Sequence, residues 1–172
     1  MRTRSRMNWP ISLLAAMSAS AVVASTQVPT MNFVPLRIGA PLPHFFVDAL
    51  DGTKISSDRF RGRPLVINFF ATWCRPCRFD LPRIERASAE QSAVAFLGID
   101  EEESPDAVTA FVRAMRLTYE IAIDQGLVAT GMSVRVMPES VFVDRSGIVR
   151  AINTGYLSPD ALVQDLALIS GH

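Results

Sequence analysis

Apolar and polar positions alternate along the chain in runs of distinct period. Leu65-Val66-Ile67-Asn68-Phe69-Phe70 is almost unbroken apolar, and so is Ala93–Ile99. Short runs of this kind suit strands covered on both faces, as in a sheet with helices packed against it. Ser140–Val143 predicts a third strand, closed by the turn Asp144-Arg145-Ser146-Gly147, with Val149–Thr154 as its hairpin partner. Upstream, Phe45–Leu50 and Thr53–Ile55 flank Asp51-Gly52, which supplies the positive φ of a tight hairpin turn. Mixed charged and apolar positions over Pro76–Glu90, Ser104–Met115 and Ala161–Ile169 predict helices. The second opens with Ser104-Pro105-Asp106 and the third follows Ser158-Pro159-Asp160, each a serine cap with proline at the first helical position. Strand, helix, strand, helix, strand, strand, helix is the order of an α/β sandwich. No internal repeat interrupts it.

The first 24 residues follow a different logic. Arg2, Arg4 and Arg6 precede the 14-residue run Ile11–Ala24, apolar and small. A basic tip before 7–15 apolar residues is the layout of a secretory signal, with small residues at Ala19-Ser20-Ala21 and Val22-Val23-Ala24 for cleavage. The competing reading is a retained anchor. A spanning helix needs about 20 apolar residues, and reaching that length means absorbing Pro10, four serines, Thr26 and Gln27. Under either reading the body crosses a membrane, and contact with it is confined to residues 1–28 if they are kept. Residues 25–38 read as a linker, with four prolines between Gln27 and Pro43, and residues 39–172 as one domain.

Composition narrows the function. The chain has 172 residues, 49% hydrophobic and 20% charged, which is globular rather than disordered. Its 17 basic and 17 acidic residues cancel, and three of the bases but none of the acids lie in the first thirty residues. The body is therefore mildly acidic, without the basic surplus of a nucleic-acid binder. Two cysteines, at 74 and 77, are too few for a disulfide scaffold.

Those two cysteines carry the candidate chemistry. Trp73-Cys74-Arg75-Pro76-Cys77 stands where a buried strand hands over to a helix. Free N–H groups and the macrodipole at a helix start favour negative charge, and Arg75 and Arg78 push the same way. A thiol of pKa about 8.5 is roughly 3% ionised at pH 7, and one lowered to about 7 is half ionised. A purely structural disulfide is the bland alternative. Closing a four-residue loop stabilises by only about 2 kcal/mol, against roughly 4.7 for a 100-residue loop. Zinc is the other alternative, but it wants four ligands, and only His44 and His172 could join the cysteines. A dithiol that opens and closes is the reading kept, with the Cys74–Cys77 disulfide itself as the redox group and no separate cofactor or metal.

The segment Leu65 to Arg78 resembles the active site of thioredoxin-like proteins, most closely the exported branch containing TlpA, ResA and DsbE/CcmG. The resemblance runs from about Gly39 to Ile169. It takes in Gly39-Ala40-Pro41-Leu42-Pro43-His44-Phe45, the lead-in Phe60-Arg61-Gly62-Arg63-Pro64, Pro82 inside the first helix, and Met137-Pro138-Glu139-Ser140 before a strand. It implies a thioredoxin-like fold: a central mixed sheet flanked by helices, an N-terminal hairpin, and a helix-bearing insertion around 100–118. It also implies that Pro138 is cis beside the dithiol, and that the Met137 backbone pairs with an extended substrate strand.

The resemblance further implies a thiol–disulfide oxidoreductase of the periplasm or cell exterior, with Cys74 as nucleophile and Cys77 as resolving thiol. Trp73, Arg75, Pro76, Met137, Pro138 and Glu139 would line the substrate surface. Its partners would be exported proteins bearing disulfides or dithiols and a membrane electron donor, with cytochrome c or copper-site maturation as the setting. Thioredoxins themselves bury an aspartate six residues before the first cysteine, where this chain has Asn68. The exported branch places an acid three residues after the second cysteine, and Asp80 stands there, with a solvated helix residue as its competing reading. Glu139 has an analogous alternative as a surface acid. Glu101-Glu102-Glu103 reads as a solvated loop and His44 as structural. A copper metallochaperone is disfavoured by the two-residue cysteine spacing. A peroxiredoxin-like peroxidase is disfavoured because Pro64 and Thr72 do not give its Pro-x-x-x-Thr-x-x-Cys pattern.

Overall fold

A computed structural model describes residues 34–171. The signal or anchor segment 1–24 and most of the 25–38 linker lie outside the described residues, as does His172. Seven strands form one mixed sheet: β1 (Phe46–Ala49), β2 (Lys54–Ser56), β3 (Leu65–Phe70), β4 (Ala95–Glu101), β5 (Glu120–Asp124), β6 (Glu139–Val143) and β7 (Val149–Thr154). Their order is β2-β1-β5-β4-β3-β6-β7. β3 runs parallel to β4 and antiparallel to β6, and β4, the middle strand, runs parallel to β5. The helices are α1 (Cys77–Glu90), α2 (Pro105–Met115), α3 (Leu127–Gly131) and α4 (Pro159–Ser170), with a 3-10 turn at Ser57–Phe60.

The apolar runs are unbroken because each face of the sheet meets its own layer. Leu65, Ile67 and Phe69 of β3 point to one side, where Leu97, Ile99, Phe45 and the α3 residues Val128 and Ala129 pack. On the other side Val66 joins Ile84 of α1 and Leu162 and Leu166 of α4. Phe70, on that same side, joins Leu81 of α1, Val108 and Phe111 of α2, and both cysteines. All six residues of β3 are buried. Both serine caps form as expected: Ser104 Oγ accepts from the Ala107 N–H and Ser158 Oγ from the Ala161 N–H.

Two elements went unread in the sequence. β5 and α3 have five residues each, too few to show a period of their own. α3 is held from below instead, by Asp124, whose carboxylate accepts from the N–H groups of Leu127, Val128 and Ala129. Part of the stretch expected to be linker touches the domain. The Leu36 N–H donates to the Met132 carbonyl, and Leu36 packs on the core. No helix among the described residues is long and apolar enough to cross a membrane.

Candidate active site

β3 ends at Phe70, and the chain turns through Ala71-Thr72-Trp73 to reach α1. Cys74 and Cys77 are joined in a disulfide at this turn. The helix proper starts at Cys77, with Pro76 as its cap, so Cys74 lies just ahead of the helix rather than in its first turn. The helix still reaches it: the Cys77 N–H donates to Cys74 Sγ at 3.2 Å. Cys74 is less open than its position suggests, 3% exposed against 0% for Cys77. The asymmetry keeps its sign but is small in the closed disulfide. Around the bond, Trp73 (71% exposed), Arg75, Pro76 and Phe79 stand out into solvent.

The opposite wall is the loop before β6. The Met137–Pro138 peptide is cis, as the resemblance implied. Met137 packs against the cluster that holds both cysteines, which brings this loop to the dithiol. The Pro138 carbonyl accepts from the Gly155 N–H at 2.7 Å. Glu139 is buried rather than a surface acid, and Thr154 Oγ1–H donates to it at 3.0 Å. Burial pushes its carboxyl above the ordinary range, and the Thr154 hydroxyl pulls it back only in part.

Asp80 is 1% exposed, which removes the solvated reading. The Leu157 N–H donates to its Oδ2 at 3.0 Å and Arg83 Nη1 to its Oδ1 at 3.2 Å. Arg83 also donates to the Leu157 carbonyl and to Tyr156 Oη, and lies over the Tyr156 ring. Burial pushes the Asp80 carboxyl up, more than the Leu157 N–H and the guanidinium lower it. Asn68 is buried, its amide donating to Ser140 Oγ at 2.9 Å; as expected, it offers no titrating group beneath the dithiol.

The acidic run is the main correction to the sequence reading. Glu101 closes β4, and Glu103 is half-buried and bonded to the active-site turn rather than free in solvent. It accepts from both donors of Thr72, the N–H at 2.5 Å and Oγ1–H at 2.6 Å. From the other side Arg78 Nη2 donates to the Thr72 carbonyl at 3.0 Å, its guanidinium resting over the Phe111 ring. The residue two places before Cys74 is thus gripped from both flanks.

His44 lies away from the disulfide. Its Nε2 pairs with Asp58 at 2.9 Å, and its ring meets Phe46 edge-on. Among the described residues no group of three or more His, Cys, Asp or Glu side chains is disposed to hold a metal ion.

The chain is similar to known proteins over most of this domain. The AhpC/TSA family model matches residues 38–152, well over half of the chain. A thioredoxin-like protein of Bacillus subtilis, YneN, is 30% identical over 139 residues, covering 78% of this chain and 82% of its own. The thiol–disulfide oxidoreductase ResA of Bacillus cereus is 32% identical over 117 residues, covering 66% and 68%. Among solved structures, a secreted Mycobacterium tuberculosis disulfide oxidoreductase homologous to Escherichia coli DsbE superposes with a TM-score of 0.67. It is 25% identical and covers 72% of this chain and 95% of its own. The span of the family model takes in both the Cys74–Cys77 turn and the cis-proline loop. The chain belongs to the AhpC/TSA family and is a thioredoxin-like thiol–disulfide oxidoreductase of it.

Proposed function

We propose that the chain works outside the cytoplasm, where it reduces disulfides in exported proteins. The observation that carries the mechanism is the Cys77 N–H directed at Cys74 Sγ. Once the disulfide opens, that N–H and the helix dipole favour negative charge on Cys74. The Cys74 thiolate attacks one sulfur of a client disulfide, and the other client sulfur leaves as a thiolate and takes up a proton. Cys77 then loses its proton and attacks Cys74 Sγ in the mixed disulfide. The Cys74–Cys77 bond reforms and the second client thiol is released. The client gains two electrons and two protons, and the dithiol loses them.

Asp80 is the group proposed to accept the Cys77 proton. It lies one turn along the same helix face, three residues on. A carboxylate has about four acceptor positions, and Leu157 and Arg83 use two of those of Asp80. Its raised affinity for a proton suits that exchange. Trp73, Arg75 and Pro76 on one side and Met137, Pro138 and Glu139 on the other would flank a client strand added along the Met137 backbone.

Two facts support the location: the basic tip and apolar run at Arg2–Ala24, and the likeness to a secreted oxidoreductase. A membrane electron donor would return the dithiol to its reduced form. Clients in cytochrome c or copper-site maturation suit a reductant there.

Equilibrating the Cys74–Cys77 pair with glutathione tests the direction. A reduction potential below that of the glutathione couple is expected; one well above it would make the protein an oxidant. Cys77→Ser should trap client mixed disulfides through Cys74, whereas Cys74→Ser should trap none through Cys77.

A further inference from the structure

A buried acid lies behind the active-site turn, at the end of β4. Asp100 pairs in register with Phe70 of β3 and Ile123 of β5. Residues paired across a sheet share a face, and Phe70 and Ile123 both belong to the apolar cluster that contains the two cysteines. Asp100 is 0% exposed and neither of its oxygens makes a well-formed hydrogen bond, although the Glu103 backbone N–H lies close enough to favour the carboxylate weakly. What stands against it is the carboxyl of Glu103, the same group that grips Thr72.

We infer that Asp100 and Glu103 share one proton and act as a positioning pair for the dithiol, holding Thr72 and with it the turn that presents Cys74.

Two facing carboxyls in an apolar site cannot both ionise cheaply, and a single proton between them turns repulsion into a strong hydrogen bond. The division of labour is set by surroundings. Glu103 has Thr72's two donors and favours the ionised form; although partial burial opposes this, the net displacement is downward. Asp100 keeps the proton, because burial first and the Glu103 carboxyl second push its carboxyl up to about 8, more than the Glu103 backbone N–H lowers it.

The surrounding charges reinforce this. Glu101 adds negative charge on the same strand, and Asp124 on β5 and Glu102 act on Glu101 in turn. β3 presents Phe70 and α2 presents Val108 and Phe111 to this cluster, all apolar. The cation at the turn, Arg78 of α1, bonds the Thr72 carbonyl. Asn68 leaves the position under the dithiol without a titrating group, and Asp100 is a buried acid on the same face of the sheet.

The inference rests on the thiol–disulfide chemistry of Cys74 and Cys77, but not on its direction or compartment. Its first test is made on the closed disulfide, where no exchange takes place. In full-length oxidised protein carrying 13C-labelled aspartate and glutamate carboxyls, NMR should find one carboxyl titrating near pH 8. Asp100→Asn should remove that resonance, and Glu103→Gln, whose amide donates to Asp100, should move it to lower pH. A second test uses protein reduced with a phosphine. Glu103→Gln should raise the rate of Cys74 alkylation by iodoacetamide at pH 7 at least threefold, because it frees the turn and removes a negative charge. Thr72→Val should raise the rate in the same direction, and Thr72→Ser, which keeps both donors, should restore the wild-type rate. No carboxyl titrating above pH 6 in the oxidised protein would overturn the shared proton. Equal alkylation rates in wild type, Glu103→Gln and Thr72→Val would overturn the positioning role, whatever the measured reduction potential.

Discussion

Single buried acids set the electrostatic character of this site, and their signs can be worked out. Asp100 has a folded-state pKa of about 8 against an ordinary 3.8. The folded protein therefore holds a proton that the unfolded chain releases. Its contribution favours folding below about pH 4, declines as pH rises, and levels off above about pH 8. The slope across that window is at most about 1.4 kcal/mol per pH unit. Urea denaturation of the oxidised protein at pH 5, 6, 7 and 8 should show falling stability, and Asp100→Asn should flatten that trend. An unchanged trend in the variant would assign the pH dependence elsewhere, with buried Asp80 and Glu139, raised in the same direction, as the next groups to substitute. The Cys-x-x-Cys spacing after a buried strand makes Cys74 and Cys77 legible, and the family resemblance marks Pro138. The sequence hid the role of Glu103, since three consecutive acids look like solvent-facing charge until the fold brings Thr72 against one of them.

Elements with a strong period, a hairpin turn or a serine cap are legible in the sequence, and β5 and α3, which have none of these, are not. β3 and β4 stood out because both faces are covered, and the serine caps marked α2 and α4. β5 was invisible because Glu120 and Asp124 bracket three apolar residues, a pattern as common in loops as in strands. Its packing nevertheless leaves a mark at Gly98 on the neighbouring strand. A Cβ there would come within 2.6 Å of Ile121 Cδ1 and within 3.2 Å of Phe70 and Tyr119 ring carbons. Ile121 and Phe70 are both buried in the cluster around the cysteines, so neither can swing freely away. Gly98→Ala should cost about 1–3 kcal/mol, the usual range for overpacking a core. Thermal denaturation measures this, and a change below 0.5 kcal/mol, roughly the ordinary surface range, would mean Ile121 finds another rotamer.

At the level of the whole molecule, the site is assembled from both ends of the chain's fold order. The disulfide comes from the β3–α1 turn, the cis-proline loop from the approach to β6, and a third piece from Gly155-Tyr156-Leu157 between β7 and α4. Arg83 joins that third piece to α1 with bonds to the Leu157 carbonyl and Tyr156 Oη while it pairs with Asp80. Arg83→Ala should destabilise the fold by about 1–3 kcal/mol, since a buried carboxylate loses a charged donor. It should also raise the Asp80 pKa further, shifting the pH profile of disulfide exchange upward; a lower stability with an unshifted profile would confine Arg83 to a structural role. The segment 155–157 has one more property. Its Gly155 N–H holds the Pro138 carbonyl and its Leu157 N–H holds the Asp80 carboxylate, two residues apart on one short piece of chain. That piece works as a yoke: a client strand pressing on the cis-proline loop and a proton arriving at Asp80 load the same three residues. On the proposed mechanism, docking and proton uptake would share a mechanical link that passes around the disulfide and not through it.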